Sequence, residues 1–253
     1  MDKKIKEMHL HAIKKQFEAA GFSTESIKRF LDEFAPDSGR RASWSFEMSI
    51  HETKVKGKVY AEPNMPGGIY ALDFYQLTMA KRRAREKQAP IPAATNKFVC
   101  TPWSWVRLDE AVNLMQGRYV YRKPDMDPTG EGYWLYLTAG EPLEGFHRLG
   151  FIRTRFDVSN YLAETGLGGW LGLNGWVRLV AQLESGSRCD LVIGTGAGMR
   201  ALKVEADPRN HRLALFDLAG HILDPEKLMT RKHPHPNPHN HAPHPDPAVT
   251  PQP

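Results

Sequence analysis

Three glycines in "DLVIGTGAGMRALKVEAD", residues 190–207, stand where a phosphate could be held. An apolar run leads into Gly194, Gly196 and Gly198, and Glu205 and Asp207 follow. Glycine amides close on a pyrophosphate when a strand leads in and a helix leads out. Here Met199 takes the place of the last glycine of G-x-G-x-x-G, and Leu202, Val204 and Ala206 alternate with Lys203 and Glu205, the period of a strand. The stretch between Gly198 and Pro208 is shorter than the roughly ten to twelve residues of a crossover. No Gly-Lys-Ser/Thr follows either. The spacing predicts a hairpin turn.

Carboxylates suggest a second chemistry. Glu62, Asp73, Glu205, Asp207 and Asp217 are the acids that a metal-dependent nuclease would use to hold its cation, and this is the alternative functional reading. Against it, Glu62 and Asp207 each precede a proline at a predicted strand end, where an acidic side chain caps a turn. The chain has no G-x-S-x-G, H-E-x-x-H or Cys-x-x-Cys. His9 and His11 lie two apart on a predicted helix and face different directions, while His147 and His211 stand alone in predicted loops. Cys100 and Cys189 lack ligand spacing and read as buried free thiols of a reducing compartment. In the C-terminal segment His233, His235, His239, His241 and His244 form a loose cluster able to chelate zinc, nickel or copper. Ordering such a tail costs entropy, so a solvated spacer is the favoured reading and no resident cofactor is expected.

Positive charge offers a third. Arg40 and Arg41, then Lys81, Arg82, Arg83, Arg85 and Lys87, are the densest basic features, and Trp103 and Trp105 stand near them. Cations neutralise phosphates and indoles stack on bases, so these residues are the candidate nucleic-acid contacts. The same run also reads as a solvated connector. A net charge of +5, from 34 basic and 29 acidic residues, allows an anionic partner without requiring one. No apolar run is long enough for a membrane-spanning helix, and the N-terminal residues read as an amphipathic helix rather than a secretion signal, so a cytoplasmic location and no membrane partner are expected.

The elements that must position these residues follow from periodicity. Ile5, Met8, Ala12, Ile13, Phe17 and Ala20 have helical spacing, and a second helix begins after Ser23 or Thr24 and stops at Pro36. "ASWSFEMSI", "KVKGKVYAE" and "IYALDFYQLTM" alternate as strands, giving a helix-helix-meander unit over 1–80. Residues 81–97 are the basic linker, and 98–230 form a second α+β unit. In it "TPWSWVRLDEAVNLMQG" reads as a helix capped by Ser104 or Thr101 and ended by Gly117, and "RYVYRK" and "GYWLYLT" as strands. Helices over 156–162 and 175–183 and strands near 188–193, 200–206 and 212–217 come next. Proline at nearly every second position makes 231–253 a disordered tail. The apolar, glycine-rich 166–176 is either a cover for the core or a docking surface.

The series helix, helix, three strands occurs twice, over 3–79 and 157–218. "VYAEPN" at 59–64 echoes "VEADPR" at 204–209, and Tyr70-Ala71-Leu72 echoes Leu213-Ala214-Leu215, which points to internal duplication.

"LDEAVNLMQGRYVYRK" resembles the helix-strand motif of a family of domains of unknown function on bacterial conjugative and mobilizable elements, through Glu110, Ala111, Asn113, Leu114, Gly117 and Arg118. "GFIRTRFDVSNYLAE", "VRLVAQLESGSRCDLVI" and "VEADPRNHRLALFDLAGHIL" are similar to its later segments, with Asp207 in place of an asparagine, so that the likeness spans about 8–228. "GLGGWLGLNG" departs from the family's more polar helix connection. The resemblance implies a hairpin at Gly194–Gly198 and a place beside DNA-processing proteins; it supplies no catalytic residues.

Together these readings give an α+β fold of two related units and a non-catalytic binding or adaptor protein of a mobile element, contacting nucleic acid or a DNA-processing protein. The oligomeric state is not encoded in any motif.

Overall fold

The computed structural model describes residues 3–34, 41–65, 69–79, 95–100, 105–123, 132–139, 146–167, 169, 171–195, 198–224 and 228. The fold is α+β, with three antiparallel sheets. In the first unit, helices α1 (Lys3–Ala19) and α2 (Thr24–Glu33) precede strands β1 (Ala42–Ile50), β2 (Thr53–Met65) and β3 (Ile69–Met79). Ser23 caps α2 by accepting from the Ser26 amide at 3.2 Å. Alternation along the strands sends Trp44, Phe46, Val55, Val59, Tyr75 and Leu77 into a core with Ile13 and Phe17 of α1 and Ile27 and Phe30 of α2. Phe17 sits 4.5 Å from Phe30, and Phe22 meets Phe46 edge-on at 5.2 Å. A bulge in the β2–β3 pairing between Tyr60 and Ala61 interrupts the ladder. Side chains of α1 supply partners there: Gln16 Oε1 accepts from the Leu72 amide at 2.6 Å, and buried His9 accepts from the Tyr70 amide at 3.1 Å.

Strand β4 (Thr95–Val99) adds a fourth strand to this sheet, in the order β1-β2-β3-β4. The basic run 81–87 therefore falls between two adjacent strands of one sheet.

Helix α3 (Leu108–Met115) is capped differently from the expectation. Residues 105–107 are not helical, Arg107 is the N-cap, and its amide donates to Glu110 Oε2 at 2.8 Å. The Leu108 amide meanwhile donates to Ala20 O at 2.9 Å, which ties the helix start to the end of α1. Gly117, at φ +81°, ends the helix turn as expected. Leu108, Ala111, Val112, Leu114 and Met115 join the first core. A three-stranded sheet follows, of β5 (Val120–Arg122), β6 (Tyr133–Leu137) and β7 (Leu149–Arg153). Of these, β7 has no counterpart in the sequence-based reading.

Helices α4 (Val158–Thr165) and α5 (Leu173–Glu184) cover the second four-stranded sheet, of β8 (Cys189–Thr195), β9 (Gly198–Asp207), β10 (Arg212–Phe216) and β11 (Ile222–Leu223). Leu162, Leu183, Leu191, Leu202, Val204, Leu213 and Leu215 form its core. Leu167 is buried there and Leu171 and Trp176 pack against it, so part of 166–176 covers the core. Leu173 and Val177 are exposed.

Both four-stranded sheets are sequential meanders preceded by two helices, each with one strand more than the helix, helix, three-strand series read from the sequence. The residue echo is offset. Ala61 pairs with Leu72, whereas its counterpart Ala206 pairs with Leu213, so by register Leu72 rather than Tyr70 matches Leu213. The bulge and the greater length of β2 and β3 beyond the Ala61–Leu72 pair account for the offset.

Candidate nucleic-acid interface

The glycine segment is a hairpin. Strand β8 pairs antiparallel with β9 in the register Gly194↔Met199 and Thr195↔Gly198, so Met199 lies in a strand and no helix starts there.

The hairpin acids are engaged by cations or by turns. Arg41 pairs with both Glu62 and Asp73, the latter at 2.9 Å. Glu205 takes Arg118 at 2.9 Å and Arg188 at 2.5 Å. Asp207 accepts from Asn210 at 2.7 Å and faces Arg212 at 3.5 Å. Asp217 closes the 217–221 turn, and the His221 amide and imidazole hold its carboxyl below the ordinary value. Among the described residues no group of three or more His, Cys, Asp or Glu side chains is placed to hold a metal ion. Glu62 and Asp73 come together only across Arg41, and neither Asp207 nor Asp217 joins them to form a metal-holding group.

Of the basic candidates, Arg41 and Trp105 lie within the described residues; Arg40, Lys81, Arg82, Arg83, Arg85, Lys87 and Trp103 lie outside them, as do the tail histidines. Arg41 is committed to its two carboxylates. Trp105 packs against the first core, and its carbonyl accepts from Arg122 at 3.0 Å, so its indole is not a free stacking surface.

A different basic surface emerges on the outer face of the first sheet. Because Val55 and Val59 point inward, Lys54, Lys56, Lys58 and Tyr60 of β2 point outward. Register places them in rows across the strands: Ser45, Lys58, Gln76 and Lys97 in one, and Glu47, Lys56, Thr78 and Thr95 in the next. Among the described residues, the helices that pack on this sheet lie on its inner face. A shallow depression of about 590 Å³ lies on this outer side, lined by Ser45, Glu47, Lys56, Lys58, Gln76 and Thr78 among others.

Tyr60 and Phe74 stack at 4.3 Å on this face. The Lys58 ammonium lies 5.2 Å from the centre of the Tyr60 ring, and that of Lys97 lies 3.8 Å from Phe74. A ring face steadies a cation without cancelling its charge. Lys54, Lys58 and Lys97 form no ion pair among the described residues, and Lys56 shares only an exposed contact of 3.4 Å with Glu47. Such a pair contributes little and exchanges readily for another anion.

The signal for this face was present in "KVKGKVY", where lysine occupies alternate positions. Alternation read as burial identifies the strand; read from its other phase it identifies a cationic stripe. Lys97 and Phe74 join it only through strand pairing.

The motif that carried the resemblance has structural work. Glu110 pairs with Arg122 through two contacts, one of them 2.6 Å. Asn113 donates to Ser185 O at 2.9 Å and accepts from Arg118 at 2.8 Å, and Arg118 reaches Glu205. These bonds tie α3 to β5, to the end of α5 and, through Arg118, to β9. No protein-family model, no curated protein and no solved structure matches the chain.

Proposed function

We propose that this chain is a nucleic-acid-binding module whose outer first-sheet face contacts the backbone of a single strand. One observation carries the reading: four lysines, two of them steadied by aromatic rings rather than neutralised by acids, share one open sheet face. Lysines two apart along β2 recur at about 6.8 Å, a spacing suited to successive phosphates of an extended strand. The open sheet face offers a platform along which a single strand can lie with Tyr60 beside the bases. The role is that of an adaptor. Its setting on a mobile element follows the resemblance of the α3 motif and belongs to the same proposal.

Affinity for a labelled single-stranded oligonucleotide, measured across salt, tests it. About four phosphate contacts predict a slope of log affinity against log salt near −2.8, and Lys54, Lys56 and Lys58 changed together to alanine should flatten it by about 2. Binding that ignores salt, or a variant with an unchanged slope, overturns the reading.

A further inference from the structure

The three-stranded sheet ends in an open edge. In the order β5-β6-β7, β7 is paired on one side, and among the described residues no strand lies beside it on the other. The Thr138 amide donates to the Arg148 carbonyl at 2.9 Å, in the same register that sets Leu137 opposite Leu149. Bonded and non-bonded pairs alternate along an antiparallel ladder. Residues 148, 150 and 152 therefore direct their main-chain groups to β6, and Leu149, Phe151 and Arg153 turn their N–H and C=O groups away from the sheet. An edge of this kind is a template for another extended segment.

The side chains of the same three residues share one face of the sheet. On the neighbouring strands that face is covered, since Val120 is buried and Leu135 and Leu137 pack against the first core. On β7 the cover stops. Phe151, opposite Leu135, is 65% exposed, and Leu149, opposite Leu137, is 37% exposed. Tyr133 meets the Phe151 ring edge-on at 6.3 Å. Arg122, Tyr133 and Arg153 form the next row. Arg122 has Glu110 as its counter-charge, whereas Arg153 is exposed and pairs with no carboxylate among the described residues. Arg155, two residues further on, is exposed and equally without one.

The edge thus presents main-chain donors and acceptors, two apolar side chains and then positive charge. An acid on an added strand would do for Arg153 what Glu110 does for Arg122, through charge-assisted hydrogen bonds. A second β7 cannot supply it, because LGFIR contains no acid. A nucleic-acid strand fits less well, because its phosphates accept hydrogen bonds and leave the outward carbonyls without donors.

We propose that the open edge of β7 captures an extended acidic segment of a protein partner as an additional antiparallel strand. Antiparallel addition continues the pairing of the rest of the sheet. It sets apolar residues opposite Leu149 and Phe151 and an acid opposite Arg153, with a further acid two residues earlier toward Arg155. The partner strand therefore reads acid, x, acid, x, apolar, x, apolar. The lysine face belongs to a different sheet, so this edge does not rest on the nucleic-acid reading.

Fluorescence anisotropy of a labelled peptide, Asp-Thr-Asp-Thr-Val-Thr-Ile, titrated with the full chain tests it. The peptide should bind, and its counterpart with lysine in place of both acids should bind at least about tenfold more weakly. Arg153→Glu and Phe151→Thr, both at exposed positions, should each weaken the acidic peptide by a similar factor, and Arg153→Glu should narrow the gap to the lysine peptide. Methylating peptide nitrogens reads the strand geometry on the unaltered chain. The Val amide, which faces β7, should be needed, and the amides of the two threonines beside it should not. Changing Lys54, Lys56 and Lys58 to alanine should leave the peptide affinity intact. Failure of the peptide to bind, equal binding of its lysine counterpart, or equal loss from methylation at Val and at the threonines overturns the proposal. With the peptide unbound, self-association abolished by Phe151→Thr would give the edge to a second copy, and oligonucleotide binding abolished by Arg153→Glu would give it to nucleic acid; either result overturns it as well.

Discussion

Glu110 shows how one residue can look like chemistry and act as structure. Its side chain is 7% exposed and meets Arg122, which is 25% exposed and also bonds the Trp105 carbonyl. The pair fixes α3 against β5, and its polar atoms are satisfied on both sides. Removing one partner leaves a largely buried charge alone, which costs about 3–5 kcal/mol. Glu110→Ala should lose stability of that order in urea denaturation. A loss below about 1 kcal/mol would place the pair among surface bridges. The lysines of the outer face show the converse. They look like ordinary strand solubility in the sequence and become a surface only when their neighbours across the sheet are known.

At the scale of elements, the β1–β2 hairpin carries a testable strain. Its two turn residues, His51 and Glu52, lie at φ +46° and +63° between the paired Ile50 and Thr53. Asparagine and glycine adopt that conformation more easily, whereas other L-residues incur about 1–2 kcal/mol each. Changing His51 to Asn and Glu52 to Gly should stabilise the chain by about 1 kcal/mol, read as a higher urea midpoint with the same dependence on denaturant. An unchanged or lower midpoint would mean the turn is not strained. Gly57 has the opposite demand, since a Cβ there would lie 2.2 Å from the Phe46 ring. Most elements were legible because period and end signals agree: Ser23 and Gly117 mark helix ends, and the alternation of 190–207 distinguishes a hairpin from a nucleotide loop. The α3 start was not, because Ser104 and Thr101 are good caps in isolation while the Leu108 amide had an unforeseeable partner in Ala20. The lysine face was legible only in part, because "KVKGKVY" carries its stripe while strand pairing alone brings Lys97 and Phe74 to it.

For the molecule as a whole, both cores hold a free thiol. Burial, and next the Asp73 carboxylate, push the Cys100 thiol up to about 12; burial raises Cys189 to about 11. Near neutral pH both thiols keep their protons whether the chain is folded or not. Above the ordinary value of 9.0 the unfolded chain gives up protons that the folded chain retains, so stability falls as pH rises toward 11–12. The midpoint of urea denaturation should therefore decline above pH 9, and less steeply after Cys100 and Cys189 are both changed to alanine. An identical decline in that variant would assign the effect elsewhere. No helix among the described residues is long and apolar enough to cross a membrane.

The claim that most needs a direct answer is that the first sheet's outer face touches a nucleic-acid strand. Lysine acetylation of the full chain, read residue by residue by mass spectrometry with and without a single-stranded oligonucleotide, gives that answer. The account predicts that bound oligonucleotide slows modification of Lys54, Lys56, Lys58 and Lys97 together and leaves Lys14 and Lys28, on the helices, unchanged. Protection of the helix lysines with Lys54, Lys56, Lys58 and Lys97 still fully reactive would contradict it.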